Sequence, residues 1–276
     1  MGLRINTNIA SQEVQRNLRV NSSEQEVEFA RLSSGKRITK SADDAAGLAI
    51  SKKLEASTKG LKMATRNAND AISLVQVAEG GLNESTNILS RLRELSIQAA
   101  SDTVGEQERG YLNMEYQQLT QELDRIAATT NFNGKPLLIG EGETMQFQVG
   151  AFGGEENRIE FNAGGTDATI ENLGIDGTTI VDKGSASENL QKIDSAIDKV
   201  SGYRANLGSM QSRLQSTISN LEIASVNQDA ARSRIEDTDV AASSAKLASI
   251  NIMKAAGTAV LSQANEIPSS ALRLVA

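Results

Sequence analysis

The chain lacks three residue types on which many enzymes and metal proteins depend. Its 276 residues include no His, no Cys and no Trp. Without His or Cys it cannot form a Ser-His-Asp or Cys-His nucleophile, an imidazole base, a thiolate or a zinc site of the usual ligand types. Disulfide bonds are excluded for the same reason. Carboxylate, Lys, Ser or Tyr chemistry remains open to an enzyme.

Aromatic residues and long apolar runs are also scarce. Aromatic side chains make up 3% of the chain, and 28 basic against 35 acidic residues give a net charge of −7. Few aromatic rings leave little surface for stacking single-stranded nucleic acid, and the negative charge disfavours phosphate binding. No apolar run reaches the roughly 18 residues of a membrane-spanning helix, and polar residues interrupt the N-terminal stretch where a secretory signal would lie. We expect neither a nucleic-acid partner nor membrane insertion.

Adjacent acidic residues are the remaining candidates for acid-base or metal chemistry. Such carboxylates work in pairs in some enzymes, but they more often cap helices or carry solvated charge. We interpret them in this second way, and we therefore expect no enzyme activity, no cofactor and no metal site. We interpret a basic cluster near residue 37 as a solvated turn. The acidic groups are Asp43-Asp44, Glu155-Glu156 and Glu236-Asp237-Asp239, and the basic cluster is Lys36, Arg37 and Lys40.

Residues 131–186 differ in composition from the rest of the chain. They hold 11 of the 22 Gly, with nine acidic and three basic side chains. Two short stretches with alternating apolar residues, separated by Gly, predict a β-hairpin there. Asn133-Gly134 is a separate turn signal, which we expect to end the preceding helix. The alternating residues are Met145, Phe147 and Val149 in one stretch, and Ile159 and Phe161 in the other.

Seams of apolar residues predict long helices on both sides of this segment. Their members alternate mainly in steps of three and four, which is the heptad spacing of packed helices. The longest predicted helix, from about residue 186 to 233, would span roughly 70 Å at 1.5 Å per residue. The seams run through Leu74, Val77, Gly81, Ile88, Leu92, Leu95 and Ala99; through Leu112, Tyr116, Leu119, Leu123 and Ile126; and through Ile193, Ile197, Val200, Leu207, Leu214, Ile218 and Leu221.

Local signals predict where several of these helices begin and end. Thr103 with Glu106, and Ser185 with Glu188, have the spacing of a capping box at a helix start. Pro268 is expected to end the last helix, because proline lacks the amide that continues the hydrogen-bond ladder.

The two ends of the chain carry apolar stripes that neither end can bury alone. Residues 240–265 have only two charges, Lys246 and Lys254, and their apolar residues recur at intervals of seven. We expect the ends to pair with each other and then to pack against further copies of the chain. The expected packing residues are Ile5, Ile9, Leu18, Leu247, Ile250, Met253, Val260 and Leu261. The predicted fold is mostly α: a long antiparallel helical coiled-coil bundle with a small β-hairpin insert.

Several short segments, in order and spacing, resemble the bacterial flagellin family. The resemblance covers about residues 1–140 and 186–276. It is highly specific, because many separate segments agree. They are GLRINTN at 2–8, RLSSGKRI at 31–38, ADDAAGLAI at 42–50, NAND at 67–70, REL at 93–95, TNFNG at 130–134 and QDAARSRI at 228–235.

The resemblance implies a subunit that self-assembles into the flagellar filament, a secreted, extracellular propeller for motility. It implies that residues 1–40 and 236–276 form paired helices of the filament's inner core. Residues 41–130 and 186–235 would form a rod-like helical bundle, and residues 131–185 would face outward. The implied partners are many copies of the chain and the flagellar cap and hook-junction proteins. The resemblance also implies that the chain leaves the cell by type III export, with an export chaperone bound to its C-terminal helix before secretion.

The resemblance also implies a contact with a host innate immune receptor, at Arg91, Leu95 and Glu115. One neighbouring alternative is the junction protein between hook and filament, which shares the end motifs. A metallopeptidase insert, known in some family members, needs a His-Glu-x-x-His motif and is excluded by the absence of His. A cytoplasmic coiled-coil scaffold is disfavoured by the nearly uncharged C-terminal segment.

Overall fold

The computed structural model describes residues 7–140 and 144–275, with side chains through Glu266. Its contacts divide the chain into two compact units: unit 1, residues up to 56 together with those from 227 onward, and unit 2, residues 57–226. The mostly α fold class predicted from the sequence is confirmed. The described elements are α1 (Ile9–Ser34), α2 (Ala45–Ala99), α3 (Glu106–Thr129), β1 (Asn131–Phe132), β2 (Lys135–Pro136), β3 (Thr144–Gln148), β4 (Arg158–Asn162), α4 (Ile170–Leu173), α5 (Lys183–Glu236) and α6 (Val240–Val275).

Unit 1 is built on an antiparallel pair of helices, α1 and α6. The direction follows from two contacts: Gln25 donates to the Asn251 side chain over 2.7 Å, and Lys246 donates to Glu28 over 3.0 Å. Because the residue number rises along one helix as it falls along the other, the helices run in opposite directions. The pairing of the two chain ends expected from the sequence is therefore present within one chain.

Unit 2 has one hydrophobic core shared by α2, α3 and α5. Leu82, Leu123 and Leu207, one from each helix, lie fully or almost fully buried in the same cluster. The α3 and α5 seams predicted from heptad spacing are confirmed, since each of their residues is buried or half-buried. The core therefore follows the periodic apolar pattern of the sequence.

The seam on α2 differs from the prediction in its upstream half. Val77 is 40% exposed, so its placement on the seam was wrong. The buried line instead passes through Val75, Ala78, Leu82 and Ser85. Heptad counting favoured the larger residue at 77, although Ala and Ser pack well where helices approach closely. The small residues Ala78 and Ser85 are therefore part of the buried stripe, although a count of large apolar residues misses them.

The Gly-rich middle segment contains two antiparallel hairpins rather than one. In the predicted hairpin, β3 pairs with β4, with Met145 opposite Phe161 and Phe147 opposite Ile159. The second hairpin joins β1 and β2 through Asn133-Gly134, whose φ angles are 50° and 76°. Two consecutive positive φ values are typical of a tight hairpin turn, and Asn-Gly tolerates them best. The expectation that this dipeptide ends the preceding helix was wrong, since α3 ends at Thr129.

Three predicted helix boundaries were also wrong. The residue before α3 is Gly105, which makes no side-chain capping bond, and α5 begins at Lys183, ahead of Ser185. Helix α6 continues through Pro268 to Val275. A capping box is one solution among several for the free amides of a first turn, and tertiary contacts can replace a bond that proline removes.

Candidate assembly surface

One face of α6 packs against α1. Ile250 is 1% exposed and Ala264 is also buried, while Leu247, Gly257 and Leu261 are half-buried. These positions are three, four or seven residues apart, so they share one side of the helix. This side of α6 is the inward face of the pair.

A close approach at Gly257 brings the two helices together. A Cβ atom added at residue 257 would lie 2.7 Å from Cδ2 of Leu18 on α1, which is closer than real Cβ contacts. Glycine therefore lets the Leu18 side chain lie against the backbone of α6. The expected role of Leu18 in packing thus includes a contact within its own chain.

The rest of the α6 surface, which we call its outward face, is also apolar, and it is exposed. Ile252, on the side away from α1, is 70% exposed, and Met253 and Val260, at the edge of the α1 contact, are about half exposed, at 44% and 49%. A helix in a water-soluble chain usually places polar residues on its solvent side. An apolar face left in water is typical of a surface that binds another molecule. Small exposed residues extend this outward face: Ala241, Ala245, Ala248, Ala255, Ala256 and Ala259.

Helix α1 has a different exposed surface. It carries charged side chains along its solvent side, including the exposed ion pair of Arg16 with Glu13. Its exposed large apolar residues, Ile9, Val20 and Phe29, are separated by eight or more positions and form no continuous stripe. Within this pair, α6 therefore offers the longer apolar surface.

The packing residues predicted from the sequence fall into three groups. Ile9, Met253 and Val260 are exposed and free to contact another copy. Leu18, Leu247 and Leu261 are half-buried, and Ile250 lies inside the α1–α6 pair. Ile5 lies outside the described residues. Their contacts between subunits remain a prediction.

A buried carboxylate joins three segments of unit 1. Glu236, at the end of α5, is 4% exposed. Lys36 forms an ion pair with it over 2.5 Å, and the Ser51 hydroxyl of α2 donates a hydrogen bond to its other oxygen. The interpretation of Glu236 as a cap or solvated charge was therefore wrong, whereas Lys36 lies in an exposed turn as expected. Two hundred residues separate these partners in the chain, so no local pattern could have revealed the contact.

Backbone bonds reinforce this junction beside the start of α6. The amide of Arg37 donates to the carbonyl of Glu236 over 2.6 Å, and the amide of Thr238 donates to the carbonyl of Gly35 over 3.0 Å. These bonds pair the segment after α1 with the segment before α6. They therefore connect the C-terminal end of α1 to the N-terminal end of α6.

Other acidic residues near the junction cap helices, as the sequence suggested. Asp239 accepts bonds from the amides of Ala241 and Ala242 at the start of α6, and Asp44 accepts one from Gly47 in α2. A carboxylate in these positions satisfies free amides of the first turn. The described residues contain no group of three acidic side chains that could hold a metal ion.

The junction predicts a pH-dependent stability. The Lys36 hydrogen bond and then the Ser51 bond lower the pKa of Glu236 below its ordinary value of 4.5, against the opposing effect of burial. The folded chain thus keeps this carboxylate charged where the unfolded chain protonates it. The resulting stability is present above the unfolded pKa and is lost as the pH falls through the folded pKa.

We expect Glu236→Gln to reduce the acid-sensitive part of the stability of unit 1. Urea unfolding followed by circular dichroism, between about pH 6 and pH 3, should show a shallower loss of stability for this variant than for the parent. Asp237→Asn, which removes the neighbouring exposed carboxyl, is the matched control and should keep the parent slope. Equal slopes for Glu236→Gln and the parent would contradict the assignment.

The residues expected to contact an immune receptor lie on unit 2, but only two of them are exposed. Arg91 on α2 donates to Glu115 on α3 over 2.8 Å and to Glu94 over 2.9 Å. Leu95 is 1% exposed and belongs to the core. The structure therefore brings Arg91 and Glu115 together at the surface and places Leu95 in the core of unit 2.

This burial predicts that Leu95→Ala destabilises unit 2 itself. Truncating a buried leucine costs about 2–5 kcal/mol through lost packing and the cavity that remains. Glu115→Ala removes an exposed ion pair, which is worth about 1 kcal/mol or less. Urea unfolding should separate the two variants clearly. If both variants unfold at the parent's urea concentration, the assignment of Leu95 to the core is contradicted.

The described helices include none long and apolar enough to cross a membrane. Exposed large apolar side chains also occur on the other long helices, for example Tyr111 on α3 and Val226 on α5. Of the α1–α6 pair, the outward face of α6 is the longer exposed apolar surface.

Comparison with known proteins gives a consistent result over both ends of the chain. The bacterial flagellin N-terminal helical region matches residues 5–143, and the bacterial flagellin C-terminal helical region matches residues 190–275. A flagellin of Halalkalibacterium halodurans is 42% identical over 271 residues, covering 98% of this chain and 99% of that protein.

Two solved structures resemble the fold. The crystal structure of Bacillus cereus flagellin is 31% identical with a TM-score of 0.51, covering 56% of this chain and 88% of the other. A putative flagellar hook-associated protein from Vibrio parahaemolyticus has a TM-score of 0.59, covering 71% of this chain and 100% of the other. Its identity is 12%, so this second likeness concerns the fold alone. Because both flagellin regions match and the 42% identity extends over nearly the whole chain, the chain belongs to the bacterial flagellin family.

Proposed function

We propose that this chain is a structural subunit that self-assembles into the bacterial flagellar filament and acts in motility. The observation that carries the proposal is the outward apolar face of α6, on a chain of this family. A face that is apolar and exposed in the single chain gains stability when copies cover it. The 42% identity to a flagellin, which extends over nearly the whole of both chains, also favours the filament subunit over the hook–filament junction protein.

The energetics favour assembly through several contacts at once. Burying one large apolar side chain contributes roughly 1.5–3 kcal/mol when it is fully covered. Association costs an estimated 4–15 kcal/mol in lost motional freedom. One residue such as Ile252 is therefore insufficient, whereas a face shared by Ile252, Met253, Val260 and several Ala can exceed this cost. This fits a polymer in which each subunit contacts several neighbours.

The division of labour along the chain follows from this proposal. Residues 1–40 and 236–276 form the inner core of the filament, where α6 meets α6 of other copies. Residues 41–130 and 186–235 form the surrounding helical bundle. Residues 131–185 face outward; their Gly-rich hairpins and excess of acidic side chains suit a surface in water.

The proposed partners follow from the exposed surfaces. An export chaperone covers the outward face of α6 before type III export, because this face would otherwise drive premature association. After export to the outside of the cell, the cap and hook-junction proteins contact the growing filament at its two ends. The host receptor contacts Arg91 and Glu115, while Leu95 supports their position from the core.

Motility in a bacterium that lacks its own filament-subunit gene tests the function. Expression of this chain should restore swimming and produce filaments in which it is the main protein. The junction alternative predicts a few copies per flagellum and no swimming. Absence of the chain from shed filaments would overturn the proposal.

A further inference from the structure

The α1–α6 pair has one end that the chain does not connect. The junction around Glu236 and Gly35 holds one end, whereas the other end lies near residues 8 and 264. Between them, the inward face of α6 includes small residues such as Gly257 and Ala264, which bury little apolar area. The open end therefore needs a specific contact to remain paired.

A single side chain bridges the two helices at this end. The Oδ1 atom of Asn8 accepts the amide of Ser11 over 3.0 Å and so caps the start of α1. Its Nδ2 atom donates to the backbone carbonyl of Ala264 on α6 over 2.8 Å. The side-chain oxygen of Asn8 thus bonds within α1, and its side-chain nitrogen bonds to α6.

The carbonyl that Asn8 reaches is unusual within α6. In a helix, the carbonyl of residue 264 accepts the amide of residue 268. Residue 268 is proline and has no amide hydrogen, yet α6 continues through it. The Ala264 carbonyl therefore lacks its normal donor, and Asn8 supplies one.

A second contact lies directly beside the first. The Ser11 hydroxyl donates to the side chain of Asn265 over 2.9 Å, and Gln15 donates to the same hydroxyl over 3.3 Å. Ser11 and Ala264 are both buried, although both have little apolar surface. Their burial shows that the helices are in close contact at this end.

We propose that Asn8 and Pro268 form a latch that closes the open end of the α1–α6 pair. Pro268 leaves the Ala264 carbonyl without a helical donor, and Asn8 satisfies it only when α1 is docked. Undocking leaves this carbonyl without the Asn8 donor, so the ends of the two helices become ordered together. The latch is a contact within one chain and does not depend on filament formation.

Three variants of the full chain separate the latch from ordinary capping. Asn8→Asp keeps an oxygen that can cap α1 but loses the amide donor. Asn8→Ser makes a similar change without adding charge. Pro268→Ala restores an amide at residue 268, so the Ala264 carbonyl regains a donor from its own helix.

Hydrogen exchange measured by mass spectrometry reads the open end directly. We expect Asn8→Asp and Asn8→Ser to speed exchange of the α1 amides at residues 9–20 by about tenfold, as loss of one buried hydrogen bond implies. In the Pro268→Ala background the same substitutions should speed it by less than about threefold, because no carbonyl is then left without a donor. Exchange within residues 57–226 should stay unchanged, which verifies that each variant is folded.

Two results would overturn the latch. The first is parent-like exchange at residues 9–20 in both Asn8 variants. The second is an equal effect of the Asn8 substitutions with Pro268 and with Ala at that position, since the two residues would then act independently. Failure of filament assembly would affect neither reading, because the exchange experiment uses the unassembled chain.

Discussion

A chain reduced to residues 57–226 is expected to fold as a helical monomer and to form no filament. Unit 2 contains its own core, with fully or almost fully buried residues from α2, α3 and α5. A smaller cluster of Leu61, Ala64 and Leu221 packs the helices near the cut ends. The removed segments include the whole of the α1–α6 pair and its outward apolar face. Folding and assembly should therefore separate completely in this fragment.

Three measurements, each made on this fragment and on the full chain, test whether the fragment folds and whether it assembles. Circular dichroism should show cooperative thermal unfolding of a mostly helical protein. Light scattering after gel filtration should give the mass of one chain, and sedimentation under assembly conditions should leave the fragment in the supernatant. Filaments from residues 57–226 would contradict the role of the ends, and an unfolded fragment would contradict the independence of the unit 2 core.

A lysine at residue 252 is expected to prevent assembly while leaving the single chain folded. Ile252 is 70% exposed, so its replacement disturbs little inside the α1–α6 pair. In a filament the new charge would be buried without a partner, and an uncompensated buried charge costs several kcal/mol. We expect the concentration needed for assembly to rise by at least about 100-fold, since each 1.4 kcal/mol is a factor of ten.

Two matched variants show which face of α6 matters. Ser23→Lys adds the same charge to the exposed side of α1 and should assemble nearly as the parent does. Ile250→Lys places the charge inside the pair, so it should disrupt the pair even in the single chain. Hydrogen exchange of α1 and α6 distinguishes this folding defect from an assembly defect. Parent-like assembly of Ile252→Lys would show that the outward face of α6 is not the contact surface.

Most of the helical architecture could be predicted from periodicity. The α3 and α5 seams, including Tyr116, Leu123 and Leu207, follow heptad spacing because large apolar residues alone define their buried sides. The β3–β4 hairpin was predictable from alternation around Phe147 and Ile159. In these elements the local pattern and the tertiary packing agree, and the structure can then be predicted from the sequence.

The errors arose where distant parts of the chain decide the outcome. Glu236 looks like a solvated charge in its local sequence, and its ion pair with Lys36 exists only because α1 and α5 end at the same place. Pro268 looks like a helix stop because its compensating donor, Asn8, lies at the other end of the chain. Leu95 looks like a surface contact when read through the family resemblance, although its seam position already predicts burial.

Candidate assembly residues were only partly predictable for a related reason. Heptad spacing identifies apolar positions on α6, but two apolar faces satisfy the same pattern. Ile250 faces α1 and Ile252 faces outward, two residues apart. Only the packed structure tells the two faces apart. Ala248 and Ala256, which extend the outward face, give too weak an apolar signal to mark it alone.

Electron microscopy of the purified full chain after salt-induced assembly shows whether the chain polymerises. We expect long filaments of uniform diameter, built from this chain alone and depolymerising to folded monomers. A chain that stays dispersed, or forms only irregular aggregates, under conditions in which a related flagellin polymerises would contradict the assignment of this protein as a filament subunit.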